Sequence, residues 1–278
     1  MSFSPEWLAL REPADHAARS RDLKASVARH FAGRATIDVV DLGCGAGSNL
    51  RGTFDALPDI QRWRLVDYDP NLLAAARQRL AAWADDVSND GEVLALRKGA
   101  KAISIRFVQA DLNRDLDRVL EPATDLVTAA ALFDLVSVDW IAGFVADLAR
   151  RRLPLYTVLT YDGTERWQPP HPVDDQMLAA FHAHQGTDKG FGPAAGPRAT
   201  AAMAEAFARA GYRVERAPSP WLLGPDFAQL ARELVTGFAG AVGETGNVPG
   251  ADIAAWLTAR QAGVTCEVGH EDLFVLPA

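Results

Sequence analysis

Short apolar segments that end at a small or acidic residue recur through the first half of the chain. Five of them predict strands, at residues 36–42, 63–67, 103–111, 125–130 and 155–161, and a shorter one lies at 93–96. Between them the apolar positions follow helical spacing, as in the alanine-rich stretch that Pro70 opens and in residues 138–150. Strands that alternate with helices predict a parallel sheet with crossover helices, a doubly wound α/β fold.

The two ends of the chain carry other patterns. Residues 1–35 predict a helical cover, because Ser4 precedes Pro5 and Asp15 follows Pro13, and both pairs are helix-start signals. After the fifth strand the pattern predicts a helix, a strand, two helices and a last strand. These elements are expected at residues 199–210, 212–217, 226–242, 251–261 and 272–276.

Residues 163–197 interrupt this order. The segment is rich in proline, glycine, histidine and tryptophan and is longer than an ordinary connection, so it predicts a lid over a ligand. No internal repeat or Pro/Ser-rich linker divides the chain. We therefore expect a single domain over residues 1–278, with the cover at 1–35, a ligand-binding core at 36–162, the lid at 163–197, and the last helices and strands at 198–278.

The composition mainly argues against certain classes of protein and partner. Hydrophobic residues make up 49% of the chain, and the formal net charge of −8 argues against a nucleic-acid partner, because phosphate binding needs a basic surface. Two cysteines cannot form a disulfide framework or a four-cysteine zinc site. The N-terminus lacks a secretory pattern, and no apolar run reaches the roughly 18 residues of a membrane helix. We expect a cytoplasmic protein without a membrane partner.

Candidate chemistry is concentrated where the predicted strands end. Glycines at 43, 45 and 47 lie between the first strand and the next helix, where they allow a tight turn and a close approach to a ligand. Three carboxylates accompany them at or near the ends of successive strands, namely Asp41, Asp67 and Asp111. Ligands of open α/β sheets bind at the carboxyl ends of the strands, so the three aspartates predict one nucleotide-binding crevice.

Four motifs in this order resemble the class I S-adenosylmethionine (SAM)-dependent methyltransferases. They are VVDLGCGAG at 39–47, VDYDP at 66–70, VQADL at 108–112 and DLVTAAALF at 125–133. The resemblance implies a Rossmann-like sheet of seven mostly parallel strands that binds SAM and releases S-adenosylhomocysteine. The strands at 212–217 and 272–276 would form the family's final antiparallel hairpin, with two helices inserted between them.

The resemblance also implies which residues hold the cofactor. The methionine part of SAM would lie on Asp41 and the glycines, the ribose hydroxyls on Asp67, and the adenine beside Tyr68 and Asp111. The sulfonium end would lie against the small residues after the fourth strand. The complete expected set is Asp41, Gly43, Cys44, Gly45, Gly47, Asn49, Asp67, Tyr68, Asp111, Leu112, Ala129 and Ala130.

Three residues are candidates for catalysis. Asp134 follows the fourth strand and either contacts or deprotonates the acceptor or caps the next helix. Tyr161 ends the fifth strand on the same side of the sheet, and His184 belongs to the predicted lid. The histidines of that segment lack the ligand set of a metal site, so no metal is expected. The expected function is methyl transfer to an O or N atom of a small polar metabolite.

Four alternatives stand beside this function, one of which keeps the fold and the cofactor but does other chemistry, such as cleaving SAM. An NAD-dependent dehydrogenase needs G-x-G-x-x-G, but Ser48 or Leu50 occupies the position of the third glycine. Nucleic-acid methyltransferases that act on amino groups place an Asn/Asp-Pro-Pro-aromatic stretch after the fourth strand, where this chain has AAAL at 129–132. A SAM-binding regulatory or scaffold protein would keep the four motifs, but the long polar lid favours an enzyme.

Overall fold

The centre of the fold is one mixed sheet. The computed structural model describes residues 3–261 and 263–278, without the side chains of Asn89 and Asp90, so that Met1 and Ser2 of the predicted cover lie outside the described residues. The described strands are β1 Thr36–Leu42, β2 Ile60–Asp67, β3 Asp86–Asp90, β4 Val93–Lys98, β5 Lys101–Gln109, β6 Leu126–Ala130, β7 Leu155–Gln168, β8 Tyr212–Pro218, β9 Trp221–Leu223 and β10 Thr265–Pro277.

The order of these strands confirms the doubly wound α/β fold. It is β3-β4-β5-β2-β1-β6-β7-β10-β8, with β9 paired to β10. Strands β5, β2, β1, β6 and β7 are parallel, whereas β10 runs antiparallel to both β7 and β8. These seven strands correspond to the seven expected from the sequence, and β8 with β10 is the expected antiparallel hairpin. The hairpin of β3 and β4 extends the sheet beyond β5, and β9 adds a short strand beside β10.

Helices cover both faces of the sheet. The described α-helices are α1 Pro5–Ala18, α2 Arg21–Phe31, α3 Ser48–Thr53, α4 Pro70–Trp83, α5 Leu116–Val119, α6 Val138–Arg151, α7 Asp174–Gln185, α8 Ala199–Arg209, α9 Ala228–Thr245 and α10 Gly250–Gln261. One core contains Val27 of α2 and Leu80 of α4, and the core on the other side contains Phe144 of α6 and Phe207 of α8. None of the described helices combines the length and apolarity needed to cross a bilayer.

The helix start predicted at Asp15 is wrong. Helix α1 begins at Pro5 with Ser4 as its cap and continues through Pro13 to Ala18. The next helix starts only after Ser20, whose hydroxyl accepts a hydrogen bond from the Leu23 backbone N–H. Asp15 has a different role, because its buried carboxylate accepts hydrogen bonds from side chains at the cavity described below.

The segment predicted as a lid, residues 163–197, is partly regular structure. Strand β7 does not end at Tyr161 but runs to Gln168, because β10 pairs with it along this extension. Helix α7 follows and packs with α9 and α10 into a third core around Trp167, Met177 and Trp256. Only residues 189–191 of the segment lie against the cavity at the strand ends.

Candidate functional site

A cavity of about 450 Å³ opens at the carboxyl ends of β1, β2, β5 and β6. The glycine loop after β1 lines one wall, and α1 covers the opening with Leu8, Arg11 and Asp15. This volume is in the range of cofactor sites. Of the twelve residues expected at the cofactor, nine line the cavity, and they are Gly43, Cys44, Gly45, Asn49, Asp67, Tyr68, Asp111, Leu112 and Ala130. Asp41, Gly47 and Ala129 lie behind this lining.

The glycine loop is shaped by left-handed backbone conformations. Gly43 and Gly45 have φ angles of 63° and 52°, which side chains with a Cβ rarely adopt. A Cβ on Gly45 would lie 3.0 Å from the side chain of Leu8, so glycine allows α1 to approach the loop. Gly47 caps α3 with a φ of 77°, and a Cβ there would come within 2.9 Å of Leu80. Gly47 therefore packs the loop against α4, while Gly43 and Gly45 face the cavity.

Asp41 is fully buried behind the loop. Its Oδ1 accepts a hydrogen bond of 2.7 Å from Nδ2 of Asn49, which also donates to Thr128 Oγ1 at 3.0 Å. Its Oδ2 has no hydrogen-bond partner among the described residues. Burial raises the pKa of Asp41 to about 7, although the Asn49 hydrogen bond and the charge of Arg19 act in the other direction. A buried carboxylate oxygen in this state favours a cationic ligand group nearby.

Arg19 places a positive charge beside the same end of the cavity. Its side chain is buried, lines the cavity and donates from Nη1 to Thr53 Oγ1 at 3.0 Å. The Nε of Arg19 has no hydrogen-bond partner within residues 3–261 and 263–278. A cation thus lines this end of the cavity, with the Asp41 carboxylate buried behind the glycine loop. Arg19 belongs to the N-terminal segment predicted as a helical cover, and the structure places it at this cavity although no motif contains it.

Asp67 ends β2 on the cavity wall. Its Oδ2 accepts a hydrogen bond from the backbone N–H of Gly45 at 2.9 Å, and its Oδ1 accepts one from the N–H of Asp69 at 3.0 Å. Burial raises the pKa of Asp67, and the two N–H groups oppose that rise. Because each carboxylate oxygen can accept more than one hydrogen bond, the oriented group keeps capacity for a ligand hydroxyl.

The far end of the cavity is more open. Tyr68 stands at its rim with 73% of its surface exposed. Asp111 and the buried Leu112 follow β5 and line the opposite wall. Ala130 lines the cavity at the end of β6, whereas Ala129 is fully buried within the sheet. The space between Tyr68 and Leu112, with the Asp111 carboxylate beside it, would suit the flat ring of an adenine.

Asp134 does not cap the helix that follows it. The cap of α6 is Ser137, whose Oγ accepts a hydrogen bond from the Trp140 N–H at 3.1 Å. The Asp134 carboxylate is buried, and its Oδ1 has no partner in the part of the chain that the structure describes. Burial raises the pKa of Asp134 to about 6, against the effects of its own N–H and of the Arg11 charge. The interpretation as a helix cap is therefore wrong.

Tyr161 lies next to Asp134 and carries a neutral hydrogen-bonding group into the interior. Its hydroxyl is 3.1 Å from Nε2 of His182 in α7. Burial and the nearby Glu165 raise the pKa of the phenol above its ordinary value. Burial also lowers the pKa of His182, so the pair is a protonated phenol and an uncharged imidazole.

His184 is not brought to the cavity. Its Nε2 lies 3.1 Å from Oε2 of Glu244 in α9, and it lines a separate open cleft with Thr187 and Thr245. Helix α7 turns this face outward because Met177 and Ala180 occupy the buried face. The structure therefore corrects the expectation of a catalytic role for His184. Among the described residues, no group of three or more His, Cys, Asp or Glu side chains is arranged to hold a metal ion.

A set of buried and half-buried side chains, only some of which were expected from the sequence, extends from the cavity into the third core. We call it the polar cluster, and it consists of Arg11, Asp15, Asp134, Tyr161, Glu165, His182, Trp221 and His270. Arg11 binds Asp15 at 3.0 Å and stacks 4.9 Å from the Trp221 ring centroid, and Trp221 Nε1 also donates to Asp15. The His270 ring lies 5.2 Å from that of Trp221 and 6.2 Å from that of Tyr161.

Glu165 and His270 carry the least satisfied groups of this cluster. The Oε2 of Glu165 and the Nδ1 of His270 are buried without a hydrogen-bond partner among the residues described. Burial raises the pKa of Glu165 to about 8 and lowers that of His270 to about 3. Every second residue of a strand lies on the same face, and Tyr161 and Glu165 are four positions apart. Had the predicted strand extended past Tyr161, Glu165 would have been expected on the face of Tyr161.

Comparisons with known proteins agree with this fold. No family model matches the chain, and no curated protein matches it. The structure of the cyclopropane synthase MmaA2 from Mycobacterium tuberculosis shares 13% identity over 99% of this chain and 94% of its own, with a TM-score of 0.51. A cyclopropane-fatty-acyl-phospholipid synthase-like protein from Lactobacillus casei shares 13% over 95% and 91%, with a TM-score of 0.53.

A third similar structure is the YcgJ protein from Bacillus subtilis, at 13% identity over 93% of this chain and 100% of its own, with a TM-score of 0.50. At such identities the likeness concerns the fold alone. Together with the strand order and the antiparallel hairpin, it supports a Rossmann-like α/β fold that these structures share.

Proposed function

We propose that the protein binds SAM in the strand-end cavity and transfers its methyl group to an O or N atom of a small polar metabolite. One observation carries this proposal. The glycine loop, Asp67 and Asp111 come from three different strand ends and line a single cavity of cofactor size. Ligand binding at this edge is the general behaviour of open α/β sheets.

The charges of the cavity fit the two ends of SAM. At the methionine end, Asp41 Oδ2 and Arg19 Nε have no hydrogen-bond partner among the described residues. The Asp41 carboxylate suits an ammonium, and the Arg19 guanidinium suits a carboxylate. At the nucleoside end, Asp67 is oriented by two backbone N–H groups and can accept the ribose hydroxyls. Tyr68 and Leu112 offer apolar surface to the adenine.

SAM supplies an activated methyl group on a sulfonium, so the protein has mainly to position the acceptor. Helix α1 closes the cavity from above and excludes water from this region. Arg11 is held by Asp15 and Trp221, which fixes the cover over the ends of the strands. Asp134, beside this wall, can take a proton from an acceptor hydroxyl or amine.

The nature of the interior supports a polar acceptor. The polar cluster lies beyond the cavity wall at the sulfonium end and holds partnerless oxygens of Asp134 and Glu165 within the described residues. An acyl chain would leave those oxygens without hydrogen bonds, at a cost of about 1–3 kcal/mol each. A polar metabolite would satisfy them, so we favour it over a lipid.

Two measurements test the function. Saturating SAM or S-adenosylhomocysteine should raise the melting temperature, because a ligand that binds only the folded state stabilises it by about 2.7 kcal/mol at a hundredfold excess over Kd. SAM with a deuterated methyl group should then label a component of a metabolite extract. Stabilisation by NAD instead of SAM would support the dehydrogenase. SAM binding without turnover in any extract would support the regulatory protein.

A further inference from the structure

The charges of the polar cluster are unbalanced. Arg11 is its one cation among the described side chains, and it is already paired with Asp15 at 3.0 Å. The two imidazoles do not compensate for acids, because burial keeps His182 and His270 uncharged at neutral pH. Asp134 and Glu165 therefore remain without a cationic partner of their own.

The cluster also offers hydrogen-bonding atoms that nothing in the chain uses. Oδ1 of Asp134, Oε2 of Glu165 and Nδ1 of His270 are buried and lack a partner within the described parts of the chain. Native proteins leave few such atoms, because each one lacks the hydrogen bond that it would make in water. Tyr161 lies close to both Asp134 and Glu165. Three unpartnered atoms around this one tyrosine indicate a site for a ligand.

The cluster continues directly from the cofactor cavity. Arg11 and Asp15 line the cavity and belong to the cluster at the same time. Asp134 stands between Leu132 and Leu135, both of which line the cavity wall. Glu165 lies further along β7, beyond Tyr161. Asp134 is therefore the unpartnered carboxyl of the cluster next to the cavity wall, and Glu165 is the one further from it.

We infer that the polar cluster is the acceptor site and that the acceptor is a small cationic amine, bound by the Glu165 carboxylate and deprotonated by Asp134. This inference rests on the proposed transferase function. Burial raises the pKa of Glu165 in the ligand-free protein to about 8, so a bound ammonium would displace the proton of that carboxyl and pair with its carboxylate form. An anionic acceptor would face the Asp134 carboxylate without a cation to offset it among the described side chains, because Arg11 is already paired with Asp15. Tyr161 and the uncharged His182 supply hydrogen bonds around the cation without opposing its charge.

The transfer balances with the groups present. The ammonium of the acceptor gives one proton to the Asp134 carboxylate, which frees the nitrogen lone pair. The new N–C bond forms as the S–C bond of the donor breaks, and the electron pair of that bond stays on sulfur. The products are an N-methylated ammonium, S-adenosylhomocysteine and a protonated Asp134, which returns its proton to solvent when the product leaves.

The experiment separates acceptors by charge. A metabolite extract is divided on a cation exchanger at neutral pH, and each fraction is incubated with the protein and SAM carrying a trideuterated methyl group. We expect the labelled product, found by mass spectrometry, in the retained cationic fraction. A labelled product only in the unretained fraction overturns the inference and leaves the transferase function intact. No labelled product in either fraction, from protein that binds SAM, contradicts the transferase function itself.

Two variants then test the residue assigned to the cation. Glu165→Gln keeps the shape of the side chain and removes its charge, so KM for the labelled amine should rise about tenfold or more, with a smaller change in kcat. Calorimetric binding of the amine to protein filled with S-adenosylhomocysteine should weaken equally, while SAM affinity stays unchanged. Glu267→Gln is the control, because that carboxylate is half-exposed in β10 and pairs with Arg166 at the surface. Equal KM values for the two variants would exclude Glu165 as the cation-binding residue.

Discussion

The two ends of the proposed site are built from contacts of different range. At the cofactor end, Asn49 donates to Asp41 from 8 residues away, and Asp67 accepts from N–H groups 22 and 2 residues away. At the acceptor end, Trp221 reaches Asp15 across 206 residues. The cofactor end is thus organised by one turn and its adjoining strands, whereas the acceptor end exists only when α1, β7 and β10 have come together.

This difference affects how each end should respond to substitution. At the cofactor end Asp67 accepts hydrogen bonds from two backbone N–H groups, so removal of its side chain leaves the turn in place. The acceptor end keeps partnerless atoms of Asp134 and Glu165 among the described residues, and such atoms destabilise the free protein. We expect variants at the cofactor end to lower affinity and variants at the acceptor end to lower turnover with little loss of stability.

The largest effect should come from Asp134→Asn, which keeps the shape of the side chain but cannot take a proton. Turnover of the acceptor should fall by about 10²–10⁴-fold, the usual contribution of a general base, while SAM affinity stays the same. Steady-state kinetics and calorimetry measure the two quantities. Asp139→Asn, an exposed carboxylate in the first turn of α6, is the matched control. Full turnover in Asp134→Asn would remove Asp134 from the chemistry.

The next effect concerns cofactor affinity. Asp67→Ala should weaken SAM binding by about 1.5–3 kcal/mol, since it removes charge-assisted hydrogen bonds to the ribose hydroxyls. The loss of its bonds to Gly45 and Asp69 adds some disorder to the loop but leaves the buried core intact. Calorimetry gives the affinity, and circular dichroism checks the fold. Asp59→Ala, which changes an exposed carboxylate beside Lys101, should bind SAM like the original protein. Unchanged affinity in Asp67→Ala would mean that the cofactor lies elsewhere.

A smaller effect should appear in the pH dependence of SAM binding. Asp41 has a pKa of about 7 in the free protein, so below that value it is increasingly protonated and attracts the SAM ammonium less. The affinity should therefore fall as the pH decreases from 7 to 5, by up to about tenfold per unit, because one proton must be released on binding. Asn49, Arg19 and Asp67 are the polar and charged groups that face Asp41 from the other elements.

Asp41→Asn provides the check on this assignment. The variant has no carboxyl proton to release, so its SAM affinity should be lower than that of the original protein at pH 7 and nearly constant down to pH 5. Calorimetry in buffers of different ionisation enthalpy counts the released proton directly. An equally steep pH dependence in Asp41→Asn would show that another group titrates.

The contrast in contact range also explains what the sequence could predict. The strand ends that carry Asp67 and Asp111 were predictable because apolar runs end there, and that signal is local. Strand β3 was missed because DVSND has almost no apolar signal, and pairing with β4 forms it. Glu165 was missed because β7 beyond Tyr161 is polar and depends on pairing with β10, whose partner residues are about a hundred positions away in the chain.

The smallest predicted effect tests the same contrast within residues 163–197. Lys189 lines the cofactor cavity and is half-buried, with Nζ 2.8 Å from Thr187 Oγ1, whereas His184 lies in α7 and faces Glu244. Lys189→Ala should lower kcat/KM for the acceptor only about twofold, the ~0.5 kcal/mol typical of a surface contact, and leave SAM affinity unchanged. His184→Ala should leave both quantities unchanged, since its contact with Glu244 lies outside the cavity. A larger loss of kcat/KM in His184→Ala than in Lys189→Ala would show that α7 moves over the acceptor during turnover. The acceptor end would then be more mobile than its packing indicates.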